Sequence, residues 1–317
     1  MSDLIFHHYA KSPFAEKVRL MFGLKNLKWR SCDAPDMLPK PELQALTGGY
    51  RRIPVLQIGA DIYCDTALIT DVLEGIQPTP SLYPASKAGK ALARTVAAWA
   101  DDKLFAGGMA YNFAPAGAAA FAAKNPNLDL KAFGADRQAM RGGAPRMYPG
   151  DATASYKSYL RKLNAMLTDS PFVLGDAPCV ADLSYYHPLW FTRHFGDESA
   201  EILKIAPNIL PWMDRVAALG HGQRDPIEVS RTESVQIAKR ATPASVANDV
   251  FMDEHGISLG AQVSIKAESF GLEVTEGELI AATRTRYTLR RTDPAAGTVH
   301  VHFPRIGFVL KKMDVTA

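Results

Sequence analysis

Ser12-Pro13-Phe14-Ala15-Glu16-Lys17-Val18-Arg19 is the stretch whose residue types and spacing point most directly to chemistry. Ser12 suits an N-cap, because its hydroxyl can accept from one of the N–H groups that a helix start leaves unpaired. Pro13 falls at the first helical position, where its missing N–H costs nothing and its fixed φ already fits. Phe14, Val18, Met21 and Phe22 follow at i, i+4, i+7 and i+8, an apolar stripe at helical period. Upstream, the apolar run Leu4-Ile5-Phe6 ends in His7, His8 and Tyr9. A strand therefore feeds a loop that presents a hydroxyl and free backbone N–H groups at a helix N-terminus. An anion, a thiolate included, is stabilised at such a place. Taken alone, the stretch is also satisfied by a Ser12 that only caps its helix.

Other chemical signals are weaker. Gly256-Ile257-Ser258-Leu259-Gly260 fits the G-x-S-x-G pattern of a nucleophile elbow, but an elbow needs a strand before it and a helix after it. Here polar residues 253–255 precede and an alternating, strand-like segment follows. Val299-His300-Val301-His302 puts two His on one face of a strand with no Cys or carboxylate at ligand spacing, which reads as a cross-strand surface and not a metal site. Arg284, Arg286 and Arg290 make a short basic stripe of the kind usual on a solvated face. No G-x-G-x-x-G or Walker pattern occurs.

The elements that must position these residues can be read in order. Residues 4–8 read as a strand, 13–25 as a helix and 27–32 as a second strand. Pro35, Pro39 and Pro41 mark a loop, and residues 40–46 form a short helix ended by Thr47-Gly48-Gly49. Residues 53–58 and 62–64 are paired strands about a turn at 59–61, and Asp65-Thr66 opens a helix that turns Leu68, Ile69, Val72 and Leu73 inward. After a linker carrying Pro78, Pro80 and Pro84 the chain is Ala-rich and helix-compatible to about residue 219. A Gly/Pro/Asn-rich excursion at 114–150 interrupts it, as a mobile loop or a broken helix pair. Residues 180–195 form a strongly apolar helix that contains Pro188. Asp225-Pro226-Ile227-Glu228 has the pattern of a helix start, which predicts a helix to about 241. Beyond Gly256 the period becomes two: residues 262–266, 278–280, 286–291 and 298–303 read as strands, with 293–297 as a hairpin turn.

At 317 residues the chain can hold two or three domains, and its composition is that of an ordinary globular protein. A net charge of +3 is too small to argue for nucleic acid or an anionic membrane surface. Cys32, Cys64 and Cys179 are odd in number, far apart and without a C-x-x-C, which predicts a reducing, cytoplasmic setting. No signal-type stretch and no long apolar run suggests export or a membrane span.

The order βαβ, short helix, ββ, α resembles the thioredoxin-like domain of glutathione S-transferases. Three local features match in sequence order: Ser12-Pro13-x-x-x-Lys17-Val18-Arg19, Ile53-Pro54-Val55-Leu56, and Asp65-Thr66 at a helix start. The helical stretch after the Pro-rich linker is similar to the family's second domain, and 172–176 leading into Pro178-Cys179-Val180-Ala181-Asp182 is similar to its helix-capping segment, with Cys179 where Ser or Thr is usual. That substitution predicts a weaker cap. The resemblance covers about residues 1–220, and the β tail resembles an extension found in one subgroup. It implies an α/β thioredoxin-like glutathione-binding domain (1–78), an all-α C-terminal domain (85–222) and a small helix-plus-antiparallel-β module (225–317).

By the same resemblance the chain binds glutathione as co-substrate, without a metal, and conjugates it to an electrophilic, mostly apolar small molecule, as in detoxification. Ser12 would donate a hydrogen bond to the thiolate, and Tyr9, where other classes place a catalytic Tyr, is the runner-up. Pro54 would be cis and turn the N–H and C=O of Ile53 to the cysteinyl unit. Asp65 and Thr66 would meet the γ-glutamyl end, and Lys40 the glycine carboxylate. The resemblance also implies a homodimer and places the electrophile against the helix near residues 99–111. Two other readings stay open: a glutathione-binding or interaction module with little turnover, and glutathione-dependent reduction or lyase chemistry.

Overall fold

The computed structural model describes residues 3–313. Its first part follows the expected order: β1 (Leu4–His8), α1 (Pro13–Lys25), β2 (Lys28–Asp33), α2 (Pro41–Thr47), β3 (Val55–Ile58), β4 (Asp61–Cys64) and α3 (Thr66–Ile76). β1 lies between a parallel β2 and an antiparallel β3, and β4 closes the hairpin on β3. α1 starts where the caps require. Ser12 keeps extended backbone and accepts the Ala15 N–H at 3.2 Å, and Asn26 ends the helix in the left-handed region at φ 48°. The apolar face of α1 drives Phe22 against Phe6 and Trp29, whose rings meet at 5.0–5.6 Å, an arrangement favourable beyond the area it buries.

The helical part comprises α4 (Lys87–Trp99), a π-helical turn (Ala100–Leu104), α5 (Phe105–Asn112), α6 (Pro115–Lys124), α7 (Leu130–Arg141), α8 (Pro149–Met166), α9 (Val180–Phe195), α10 (Asp197–Ala200), a 3-10 turn (Glu201–Ile205) and α11 (Ile209–Ala217). The excursion at 114–150 thus carries two helices. Pro115 opens α6 at its first turn, and the Asp129 carboxylate caps α7 by accepting the Ala132 N–H. α9 runs unbroken through Pro188. Its start is well held in spite of Cys179, because Asp182 accepts the N–H groups of Cys179 and Val173 and the indole N–H of Trp212 at 2.8–3.0 Å.

A helix from residue 225 does not form. β5 (Gln223–Arg224) pairs parallel with β2, and the N–H groups of Asp225 and Val229 go to the carbonyls of Trp29 and Ser31. The chain therefore stays extended beside β2, Asp225 caps only a turn, and α12 (Arg231–Arg240) starts from Ser230. The strands that follow, β6 (Gln262–Ala267), β7 (Thr275–Ala282), β8 (Arg286–Asp293), β9 (Gly297–Pro304) and β10 (Phe308–Lys312), are antiparallel to one another as expected. β9 then adds in parallel to β4, so tail and N-terminal strands form one ten-stranded sheet in the order β10-β6-β7-β8-β9-β4-β3-β1-β2-β5.

Among the described residues two large apolar cores result, with a small third of Ile5, Cys32 and Val229. The larger lies between the N-terminal sheet, α1, α3 and the helical part. The second is shared: Leu43, Leu46, Val55, Ile62 and Cys64 are buried together with Val263, Ile265, Leu289, Val301 and Phe303 of the tail. His300 and His302 belong to this seam and do not make a surface. His302 Nε2 lies 2.9 Å from Asp61 Oδ1 and its Nδ1 3.0 Å from Thr288 Oγ1, with all three side chains buried. The two His share one side of β9 as expected, but pairing with residues 61–63, far away in sequence, brings Asp61 against them in the interior.

Candidate functional site

The loop after β1 brings Tyr9 and Ser12 to the start of α1, where the Tyr9 carbonyl accepts the Ser12 N–H at 3.1 Å. Ser12 is 2% exposed. Its oxygen accepts the Ala15 N–H, which leaves its proton to donate either to the Tyr9 oxygen or to a ligand. The Tyr9 hydroxyl has its pKa raised by burial, offset by Arg137 and by hydrogen bonding with Ser12, so it stays a protonated phenol at neutral pH.

Asp65 and Thr66 sit at the start of α3 as the sequence implies. Asp65 holds φ at 75°, an uncommon conformation for a side-chain-bearing residue, and its carboxylate accepts the Ala67 N–H at 2.9 Å. The Ile53–Pro54 bond is cis. Lys40 is not a free surface cation. It is buried, donates to the Arg51 carbonyl at 3.2 Å, and has its pKa lowered to about 8 by burial and by Arg137.

Two features join these pieces. The Lys17 ammonium, 1% exposed, donates to Thr66 Oγ1 at 3.1 Å and pairs with Asp101 Oδ2 at 2.5 Å. Asp101 lies on the π-helical turn, a local widening of the helix of a kind frequent at functional sites, and also receives His187 Nε2 at 3.0 Å. Burial alone would raise the Asp101 pKa, but Lys17 and His187 hold it at about 2; burial lowers that of His187, leaving it a neutral donor. Thr66, Lys17, Asp101 and His187 thus form one chain of contacts from α3 through α1 to α9. The second feature is Arg52. Its Nε and Nη2 are buried without partners among the described residues, and Nη1 lies 3.9 Å from Asp65 Oδ2.

Sequence reasoning quoted Lys17 without a role and missed Asp101, His187 and Arg52. A signal existed for Lys17: it falls three residues after Phe14 and four before Met21, a charge set in the apolar stripe of its helix. His187, inside an otherwise apolar helix, was the same kind of signal.

The roof of the site comes from α6 and α7. Lys11 Nζ meets Asn125 Oδ1 at 2.8 Å, Arg137 donates to the Asp36 carbonyl at 2.5 Å, and Asp136 pairs with Arg51 at 2.5 Å. Along residues 99–111 the large rings are already used in packing: Trp99 lies on Tyr159 and Tyr185, and Phe105 on Phe14. Phe113, Phe121 and Phe133 remain partly exposed, in sequential ring contact at 5.3 and 5.7 Å. Among the described residues no cluster of three or more His, Cys, Asp or Glu could hold a metal ion, and no helix is long and apolar enough to cross a membrane.

Comparison with known proteins gives a consistent result. Residues 6–81 match the family model "Glutathione S-transferase, N-terminal domain" and residues 97–215 the model "Glutathione S-transferase, C-terminal domain". Among solved structures, a GST-like protein from Pseudomonas syringae is 38% identical, with the alignment covering 99% of this chain and 100% of that one at a TM-score of 0.81. A glutathione transferase from Populus trichocarpa is 14% identical (68% and 93% covered, TM-score 0.52), and the beta-etherase LigF from Sphingobium 16% identical (69% and 96%, 0.51). At those identities the latter two show the fold alone. No curated protein matches the chain.

Proposed function

Because this chain belongs to the glutathione S-transferase family, we propose that it is a glutathione transferase that activates the tripeptide thiol at Ser12 and adds it to an apolar electrophile. One observation carries the reading. The hydroxyl of Ser12 at the start of α1 and that of Thr66 at the start of α3 are tied to one another through α1 by the Lys17–Thr66 hydrogen bond. Two helix N-termini therefore face one site, which suits a ligand with a thiolate at one point and a carboxylate at another. Thr66 Oγ1 accepts from Lys17 and keeps its own proton for the γ-glutamyl carboxylate, while Asp65 attracts the ammonium. Ile53 pairs with the cysteinyl backbone. Lys40 is the cation for the glycine carboxylate, while Arg52, whose Nη1 lies 3.9 Å from Asp65 Oδ2, belongs to the γ-glutamyl side.

The energetics are sufficient. A free thiol near pKa 8.5 needs about 2.7 kcal/mol of differential stabilisation to titrate two units lower. A charge-assisted hydrogen bond supplies about 1.5–3 kcal/mol, and a helix N-terminus up to about 1 kcal/mol more. The rings of Phe113, Phe121 and Phe133 are the available wall for an apolar co-substrate.

Titration of the bound glutathione thiol by its thiolate absorbance tests the assignment, together with turnover on a panel of electrophiles. Ser12→Ala is expected to raise that pKa by about 1–2 units, and Tyr9→Phe to leave it in place. An unchanged pKa in Ser12→Ala with a raised one in Tyr9→Phe transfers the role to Tyr9. Tight binding with no conjugation of any electrophile replaces the transferase by a glutathione-binding module.

A further inference from the structure

The tail is attached to the segment that carries the proposed site, and not only to the rim of the sheet. Thr275 Oγ1 donates to the Thr47 carbonyl at 3.0 Å and accepts the Tyr50 N–H at 3.2 Å, both in the interior. Arg291 donates to the Ala45 carbonyl at 2.5 Å and lies over Gly48. A Cβ on Gly49 would fall 2.0 Å from the Val274 carbonyl oxygen, so the two backbones touch. Glu273 Oε1 lies 2.6 Å from Arg51 Nε, an ion pair outside hydrogen-bond geometry, and Gly271 sits against the Arg52 side chain while its N–H goes to the Met140 carbonyl of α7. The Arg52 guanidinium lies over the ring of Phe308, 5.9 Å from its centre. From Ala45 to Arg52 the chain is thus held by residues 271–308, and it then enters Ile53-Pro54 directly.

We propose that the tail is a wall of the glutathione site, with Glu273 as a positioning residue. It holds the charge of Arg51, whose carbonyl receives the Lys40 ammonium, and so supports the cation that faces the glycine carboxylate. The inference rests on the glutathione reading above. Charge explains why a carboxylate is needed at this point. Lys40, Arg51 and Arg137 converge here, and burial and Arg137 already disfavour the Lys40 charge. Asp136 serves Arg51 from α7 on one side and Glu273 from the tail on the other. Without the second carboxylate the Arg51 charge is less compensated, and its repulsion further disfavours the Lys40 ammonium beside it.

Calorimetric binding of glutathione to the full chain tests this, with thermal unfolding as the control for folding. Glu273 is one-third exposed, so Glu273→Gln is expected to fold. Its glutathione Kd should rise about tenfold, the middle of the coupling range for members of one ion-pair network, while the pKa of the bound thiol stays as in the unaltered chain. Glu273→Asp should recover part of the affinity. Arg290→Ala, which breaks the exposed Arg290–Glu278 pair elsewhere in the tail, should leave Kd unchanged. Equal Kd values for Glu273→Gln and the unaltered chain overturn the proposal, and so does an equal loss in Arg290→Ala, since that would be tail stability alone. If the unaltered chain does not bind glutathione, the reading of the site falls, and the clamp with it.

Discussion

Replacing Asp101 by Asn tests the contact chain between the two parts of the fold. Lys17 is 1% exposed, and among the described residues its only carboxylate within ion-pair distance is Asp101. Asn keeps the shape but removes the charge, and its amide must turn an N–H toward either Lys17 or His187, both donors here. Two routes give the size of the effect. A pKa held at about 2 against an ordinary 3.8 corresponds to roughly 2.4 kcal/mol in favour of the ionised, folded form. Removing one partner of a buried pair costs about 3–5 kcal/mol. A loss of about 2–4 kcal/mol is expected. Its pH dependence has a definite sign. The folded pKa is depressed, so the contribution is complete above the unfolded pKa near 3.8 and disappears as pH falls from about 4 to about 2. Urea unfolding of both chains at neutral pH and across that acid window measures it. A difference below about 1 kcal/mol at neutral pH, or one that persists unchanged at pH 2, would refute the view that this carboxylate compensates the buried ammonium.

Two further outcomes are expected. Gly49→Ala should destabilise the fold by about 3 kcal/mol or more in urea melts, since the new Cβ meets backbone and not a movable side chain; a loss under about 1 kcal/mol would mean that the tail can withdraw freely. Glutathione affinity should be steady below about pH 8 and fall as pH rises beyond it. An anion raises the pKa of the Lys40 ammonium on binding, so that contribution is lost as the residue deprotonates. Comparing binding of S-methylglutathione to the unaltered chain and to Lys40→Met separates this from the thiol's own titration, and a pH dependence identical in both would rule Lys40 out.

What could be read in the sequence was what local chemistry dictates. The start of α1 was legible because Ser12, Pro13 and the stripe through Phe14 and Val18 each favour the same helix boundary. Strands β6 to β9 were legible from their period of two. The failures have one common cause, which is a partner distant in sequence. Asp225-Pro226 has the chemistry of a helix start, yet β2 takes its backbone N–H groups instead. His300 and His302 alternate as a surface pair would, yet pairing with β4 brings Asp61 against them and they are buried. The start of α9 is firmer than Cys179 alone suggests, because Asp182 also holds the indole N–H of Trp212, thirty residues on.

The candidate site divides in the same way. Residues that would touch glutathione lie at element ends, where turn and cap preferences mark them: Ser12, Ile53-Pro54, Asp65 and Thr66. Residues that hold those in place, Lys17, Asp101, His187 and Glu273, lie on different elements and gain meaning only when buried together. A charge in water has no need of a specific partner, whereas one excluded from water must have one close by. The positions of Lys17 and His187 on apolar helix faces therefore already required partners, and the fold names them. Thr66 is fixed by Lys17 from the helical side, and the segment before Ile53 by Glu273 and Thr275 from the tail. If the proposed site is the one used, it keeps its geometry only while both supports are docked, and the tail then belongs to the binding machinery.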